Sequence, residues 1–177
     1  MRLPDKRQWA ELFRKTPWAI GVAQMAFRVW QPWVTVGVVG ALLNDDGQLL
    51  IVEHVFHPKF PWGLPGGWMN RGEEPEQTIR REMLEETSLH VNVIKPLLIS
   101  RTQFMPAHLD VAYLCRHQTG HAEGEEIHLS SELLAYKWID PHNPPPMAHF
   151  HSRVLRAALS ELATEGSLPE PMIEDKA

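Results

Sequence analysis

The chain is poor in cysteine: Cys115 is the single one among 177 residues. One thiol excludes an intramolecular disulfide framework and a cysteine zinc cluster, and it fits a reducing compartment. An excess of positive charge is also missing. The formal net charge is −5, which argues against a nucleic-acid partner, because phosphate backbones attract clustered Lys and Arg. Long apolar runs are absent as well. Gln24, Arg28, Gln31 and Pro32 interrupt the stretch from Trp18 to Leu43, leaving less than the roughly 18–20 residues a spanning helix needs. Residues 1–15 are too charged for a secretory leader and lack its apolar core and small-residue cleavage site. The expectation is a cytoplasmic protein. No internal repeat and no low-complexity segment interrupts it.

What is present suits a globular fold. Apolar residues make up 44% and charged residues 22%, ordinary values that point to neither disorder nor a membrane channel. The length allows one domain with a sizeable core. Charge is uneven along it. Residues 1–30 hold six basic side chains (Arg2, Lys6, Arg7, Arg14, Lys15, Arg28) against Asp5 and Glu11, so the remainder is strongly acidic. Four of the seven tryptophans also lie in the first 33 residues.

Periodicity gives the order of elements. Residues 5–15 read as a short amphipathic helix, with Trp9, Leu12 and Phe13 on one face. Pro17 breaks or restarts it, and residues 18–30 read as a second helix, apolar nearly all round. From Trp33 the pattern turns to strands. Val34 to Leu43 fits a buried strand, Asn44-Asp45-Asp46-Gly47 a turn, and Gln48 to Val55 the returning strand of a hairpin. Residues 56–72 hold several Gly and Pro and read as loop. A helix follows over 75–87, then strands over 91–100, 109–117 and 133–139, with a polar loop at 118–131. Four prolines between Asp140 and Pro146 exclude regular structure there. Residues 147–163 close the chain as a helix with Phe150, Val154, Leu155 and Ala158 on one face. The fold class expected is α/β or α+β, a mixed sheet with helices packed on it. Residues 1–30 form an N-terminal helical extension, 31–165 the main domain and 166–177 a polar tail.

The chemistry concentrates in residues 67–89. Pro75 suits the first turn of a helix, where its missing N–H costs nothing, and Glu73, Glu74 and Glu76 favour the positive end of that helix dipole. At about 100° per residue, Glu82, Glu85 and Glu86 fall on one face, with Ile79 and Met83 on the neighbouring arc. Like charges at this spacing repel by a few tenths of a kcal/mol even when exposed. Arg81, four residues before Glu85, offsets part of this. The rest calls for a cation, and hard oxygen ligands at this density suit Mg²⁺ or Mn²⁺ shared with substrate phosphates. Such an ion supplies the two needs of pyrophosphate hydrolysis, charge neutralisation and an activated water. A glutamate run alone is more often a solvated face; the flanking residues reverse the odds.

Those residues resemble the Nudix hydrolase family. Its box of Gly, five residues, Glu, seven residues, Arg-Glu, an aliphatic, any residue, Glu-Glu, any residue, Gly and an aliphatic is matched at Gly67, Glu73, Arg81, Glu82, Met83, Glu85, Glu86 and Leu89. The lead-in Trp62-Gly-Leu-Pro-Gly-Gly67 is similar too. One position departs: the family's second glycine is Ser88 here. Serine reaches a positive φ at a cost of order 1 kcal/mol, so a slightly altered helix exit is expected.

The resemblance implies an α/β/α sandwich. It implies that Glu82, Glu85 and Glu86, with the backbone carbonyl of Gly67, hold Mg²⁺ or Mn²⁺, and that Arg81 positions the glutamates. It implies a pyrophosphohydrolase acting on a nucleoside diphosphate linked to another moiety, whether nucleotide sugar, CDP-alcohol, dinucleotide or NTP. Two other readings stand beside it: a non-catalytic ligand-binding or regulatory module, and an enzyme of prenyl or inositol diphosphates. The family's general base varies, and Glu125, Glu126 and Glu132 are candidates here. Lys59, Trp62, Arg101 and Phe104 are candidates for holding a base or phosphate, with ordinary packing an equal alternative. His54, His57, His149 and His151 lack paired metal-ligand spacing and default to solvated or core histidines. The basic, tryptophan-rich N-terminus fits packing on the domain or a homodimer contact better than peripheral contact with an anionic membrane.

Overall fold

In the computed structural model, residue 7 and residues 14–30, 33–102, 105, 107–118 and 126–165 are described. They fall into two units, Met1–Trp33 and Val34–Ala177. In the first, helix α1 spans Pro17–Trp30, with the proline in its opening turn, where it lacks no hydrogen bond. The helix expected over 5–15 lies outside the described residues except for Arg7, Arg14 and Lys15, and the tail from 166 lies outside them entirely. No helix among the described residues is long and apolar enough to cross a membrane.

The second unit is built on a seven-stranded mixed sheet. Its strands are β1 (Thr35–Leu43), β2 (Leu49–His54), β3 (Trp62–Gly63), β4 (Gly66–Trp68), β5 (Val91–Arg101), β6 (His108–His117) and β7 (Leu133–Ile139). Helix α2 spans Pro75–Thr87 and α3 spans His149–Glu165. Strand β6 runs parallel to β1 along its whole length, Thr35↔His108 to Leu43↔Arg116; β5 pairs with β6, and β7 with β2, antiparallel.

The edge between β1 and β2 sets the site. The two strands pair at Leu43↔Leu49 beside the Asn44–Gly47 turn and then part. Residues 62–68 fill the opening: β3 pairs with β2 at Val52 and Glu53, and β4 pairs with β1 at Gly37, Val38 and Val39. Pro65 O accepts the Gly40 N–H at 3.0 Å, and Pro61 O accepts the His54 N–H at 2.8 Å. The Gly/Pro content of 56–72 led to an expectation of loop throughout. The correction is that 62–63 and 66–68 are strand, because the parted edges leave backbone groups that need partners.

Alternation along the strands sorts the core onto two faces. Ala41, Leu43, Leu49, Ile51 and Leu114 meet Val154, Leu155 and Ala158 of α3. Val38, Leu42, Leu50, Val111 and Cys115 meet Ile79 and Met83 of α2. This is the α/β/α sandwich. The closing helix begins at His149 and ends at Glu165, two residues later at each end than the periodicity indicated. Ile79 and Met83 are fully buried. Each such side chain contributes about 1.5–3 kcal/mol, and together they fix the rotation of α2 and hence the direction of its glutamates.

Candidate active site

Helix α2 is held at both ends. Pro75 stands in its first turn, and Gln77 Oε1 accepts the Glu74 N–H at 3.0 Å. Its exit is Ser88, with φ 61 and ψ 18, whose N–H reaches Leu84 O at 2.9 Å. Serine adopts the left-handed conformation that glycine usually supplies, so the helix ends in the ordinary way. The free carbonyls of the last turn are taken up by a later segment: His128 N–H donates to Thr87 O at 3.2 Å and Ser130 N–H to Glu86 O at 3.1 Å.

Arg81 ties the acidic residues together. Its Nε and Nη2 donate to Glu73 Oε1 and Oε2 at 2.7 and 3.0 Å, a two-pronged pair. Nη2 also reaches Trp68 O at 3.1 Å, and Nη1 bridges Glu82 Oε1 at 2.7 Å and Glu85 Oε2 at 3.1 Å. Glu73 further accepts from the Asn70 N–H and the Thr78 hydroxyl, each at 2.9 Å. The Arg81 guanidinium holds the Glu73 carboxyl down to about 2, with help from the Asn70 amide.

Glu86 and Glu82 behave in the opposite sense. Glu86 is 7% exposed, and burial, against one hydrogen bond from the Gly66 N–H at 2.8 Å, pushes its pKa up to about 7. Burial also raises Glu82, against the pull of Arg81. Two glycines bring the backbone to these carboxylates. Gly66 has φ +148, and a Cβ there would meet Val38 O at 2.2 Å. A Cβ on Gly67 would meet the Glu82 carboxyl carbon at 2.5 Å, so a larger residue there would push the Glu82 carboxylate away from the strand.

These groups line a cleft of about 610 Å³ that also takes in Trp68, His54, His57 and Glu132. The residues suit a hard divalent cation. Buried carboxylates of raised pKa and a close-approaching glycine backbone form an oxygen-only donor set. In the arrangement described, no three His, Cys, Asp or Glu side chains among the described residues converge on one point; Arg81 Nη1 bridges Glu82 and Glu85 instead.

Of the residues singled out by sequence, Arg81, Glu82, Glu85, Glu86 and Gly67 share this cleft. Lys59 and Trp62 line a second cavity of about 330 Å³ that shares His54, Phe56 and His57 with the first. Arg101 lines neither; it borders a third, with Asp110 and Arg153. Phe104 and Glu125 lie outside the described residues, and Glu126 is exposed and not part of the cleft lining. Glu132 is the acidic loop residue in the cleft, and its charge helps raise Glu86. Phe56, Trp68, Ser130 and Ser131 were not picked out by sequence. The carbonyls of the last turn of α2, which had to find partners, are the one signal that could have drawn 128–132 toward the glutamates.

Known proteins resemble the chain in sequence and in fold. A family model described as the NUDIX domain matches residues 32–158. The chain is 42% identical over 69 residues to nucleoside diphosphate-linked moiety X motif 6 of Xenopus laevis, covering 38% of this chain and 31% of that protein. It is 31% identical over 106 residues to the NAD-capped RNA hydrolase NudC of Vibrio cholerae, covering 60% and 38%. The chain thus spans about a third of the length of these two relatives. The crystal structure of an ADP-ribose pyrophosphatase from Streptococcus suis superposes with a TM-score of 0.58 at 23% identity, covering 77% of this chain and 96% of that one.

Proposed function

Because the chain belongs to the Nudix family, we propose that it is a pyrophosphohydrolase that cleaves, with Mg²⁺ or Mn²⁺, a phosphoanhydride bond in a nucleoside diphosphate linked to a second moiety. The observation that carries this reading is the face of α2 where Glu82 and the buried Glu86 lie against the backbone of Gly66 and Gly67, with Glu85 beside them. Residues 31–165 form the catalytic unit. The names of two similar proteins, an NAD-capped RNA hydrolase and an ADP-ribose pyrophosphatase, point the same way. Retention of all three glutamates favours turnover over a purely regulatory module. The buried Cys115 suits a reducing compartment such as the cytoplasm.

Glu82, Glu85 and Glu86, with the Gly67 carbonyl, are the residues that would hold the metal. When bound, a divalent ion polarises a phosphoryl oxygen and acidifies water. Arg81, anchored by Glu73 and Trp68 O, keeps Glu82 and Glu85 aimed into the cleft. A Glu132 carboxylate oxygen takes the proton of the attacking water. That water oxygen bonds to phosphorus, the bridging P–O bond breaks, and its electron pair leaves with the departing phosphate.

The test is a panel of nucleotide sugars, CDP-alcohols, dinucleoside polyphosphates, NADH, ADP-ribose, NTPs and prenyl diphosphates, each with Mg²⁺ or with EDTA. Metal-dependent release of two phosphorylated products from a nucleotide member supports the proposal and names the class. Turnover of prenyl diphosphates alone overturns the nucleotide assignment.

A further inference from the structure

The first unit holds a helix that the glutamate chemistry does not use. At about 100° per residue, Trp18, Val22, Met25 and Val29 of α1 fall along one side, and Ile20 and Phe27 along the opposite one. Both sides stand in water: Met25 is 71% exposed and Phe27 61%. The positions of Gly21, Gln24 and Arg28 break the apolar circumference with one stripe, about 60° wide. A helix that is apolar nearly all round calls for cover on nearly every side, and a contiguous exposed apolar surface of this kind marks a protein or membrane contact. A second copy of the chain, or any single protein surface, covers one face of a helix and leaves the opposite one wet. Lipid covers every face except the polar stripe.

Length and charge define the lipid surface. The 14 residues of α1 rise about 21 Å, short of the roughly 30 Å hydrocarbon core, so the helix fits in the plane of the interface and not across it. Trp18 near its start, Trp30 at its end and Trp33 just beyond are all exposed, and indole rings favour the depth of the headgroups. Arg14 and Lys15 lead into the helix, both exposed. Residues 1–30 carry a net +4 in a chain of −5, which leaves −9 on the rest. Anionic headgroups attract the first of these charges and repel the second, so the sign of charge decides which part of the chain meets the membrane.

We infer that α1 and the basic residues before it dock the chain on an anionic lipid bilayer surface. The helix lies in the interface with its apolar sides among the acyl chains and the Gly21–Gln24–Arg28 stripe toward water. The composition of residues 1–30 suits protein packing as well; exposure on opposite sides of α1 is what favours lipid. The docking site is separate from the glutamate face and stands whether or not the proposed hydrolysis does.

The full chain is floated on density gradients with vesicles of phosphatidylcholine alone, or of phosphatidylcholine and phosphatidylglycerol in equal parts. It is expected to bind the anionic vesicles about tenfold or more tighter than the neutral ones, and less well as NaCl is raised. Arg14→Gln with Lys15→Gln is expected to weaken anionic binding about tenfold. Met25→Gln with Phe27→Gln, which changes both sides of α1, is expected to abolish flotation and leave the melting temperature of the second unit unchanged. Vesicles with brominated acyl chains are expected to quench tryptophan emission in the wild type, and most of that quenching should disappear in Trp18→Phe with Trp30→Phe. No flotation with anionic vesicles, equal binding to both kinds, undiminished flotation of the Met25/Phe27 variant, or emission untouched by bromine overturns the inference. A chain that sediments as a dimer and floats with neither kind of vesicle overturns it too, and assigns α1 to a second copy.

Discussion

The Gly66 amide donates to Glu86 Oε2 at 2.8 Å, across 20 residues of chain. This bond joins the strand that fills the parted sheet edge to the helix that carries the glutamates. Glu86→Gln retains an oxygen acceptor for that amide and removes the charge. The variant should fold, with a melting temperature close to wild type. Its metal-dependent turnover should fall by more than the roughly 10–100-fold that loss of an outer-shell partner costs. Isothermal titration with Mn²⁺ and a rate assay read the two effects separately; an unaltered rate would remove Glu86 from the site.

Arg81 serves four acceptor residues at once: Glu73, Glu82, Glu85 and Trp68. A lysine ammonium cannot reproduce that planar fork. Arg81→Lys should therefore lower turnover by about 10–100-fold as a positioning defect, with part of the loss recovered at high Mg²⁺. Glu73→Gln should act in the same direction, and the double variant should lose less than the two single effects combined. Full additivity would separate the pair.

Ser88 sits at φ 61 as the only non-glycine residue with positive φ among the described residues. Left-handed backbone costs a non-glycine residue roughly 1–2 kcal/mol, and glycine returns part of that gain to chain entropy. Ser88→Gly should stabilise the fold by about 1 kcal/mol, or some 2–4 °C in a melt, with turnover unchanged. A lower melting temperature would show that the Ser88 hydroxyl, 3.4 Å from His128 O, contributes more than the strain costs.

Acid should act on the buried histidines. His151 and His54 titrate normally when unfolded, near 6.5, and at about 4 when folded. Between those values the unfolded chain binds more protons, so stability present above pH 6.5 is lost as pH falls toward 4. For His151 this amounts to roughly 3 kcal/mol. Glu86, raised to about 7, works in the opposite sense between pH 4.5 and 7, so the histidine contribution is read as a difference. His151→Asn, which offers an oxygen to the Leu64 amide, should close its stability gap to wild type as pH drops from 7 to 4.5 in urea titrations. Parallel curves would contradict this.

The strength of the box made the glutamate face legible. Glycine, proline, glutamate and arginine at fixed spacing on a helix leave few other readings, and Ile79 and Met83 point to the core as their period requires. The sheet was legible from alternation, but not its parting at β1 and β2, since Gly and Pro in 62–68 signal loop whether or not a free edge is present to pair with. Which of the three candidate loop glutamates stands in the cleft, and the meeting of His54 with His151, were beyond reach for a related reason. They depend on contacts between segments 46 to 97 residues apart, which no local period encodes. Of the side chains grouped as substrate candidates, Lys59 and Trp62 share a cavity while Arg101 lines another. Residue type suggests what a group can bind, whereas topology decides which groups stand together.

Metal-dependent cleavage at the face of α2 is tested most directly by the rate of phosphoanhydride cleavage in ¹⁸O-water. Wild type and Glu85→Gln would be compared across a Mg²⁺ titration, on the panel compound that wild type turns over fastest. Expected are ¹⁸O in one phosphate product, no rate without metal, and a rate in Glu85→Gln at least about 100-fold lower at saturating Mg²⁺. Cleavage that persists in EDTA, that survives Glu85→Gln, or that wild type shows toward no nucleoside diphosphate derivative would contradict it.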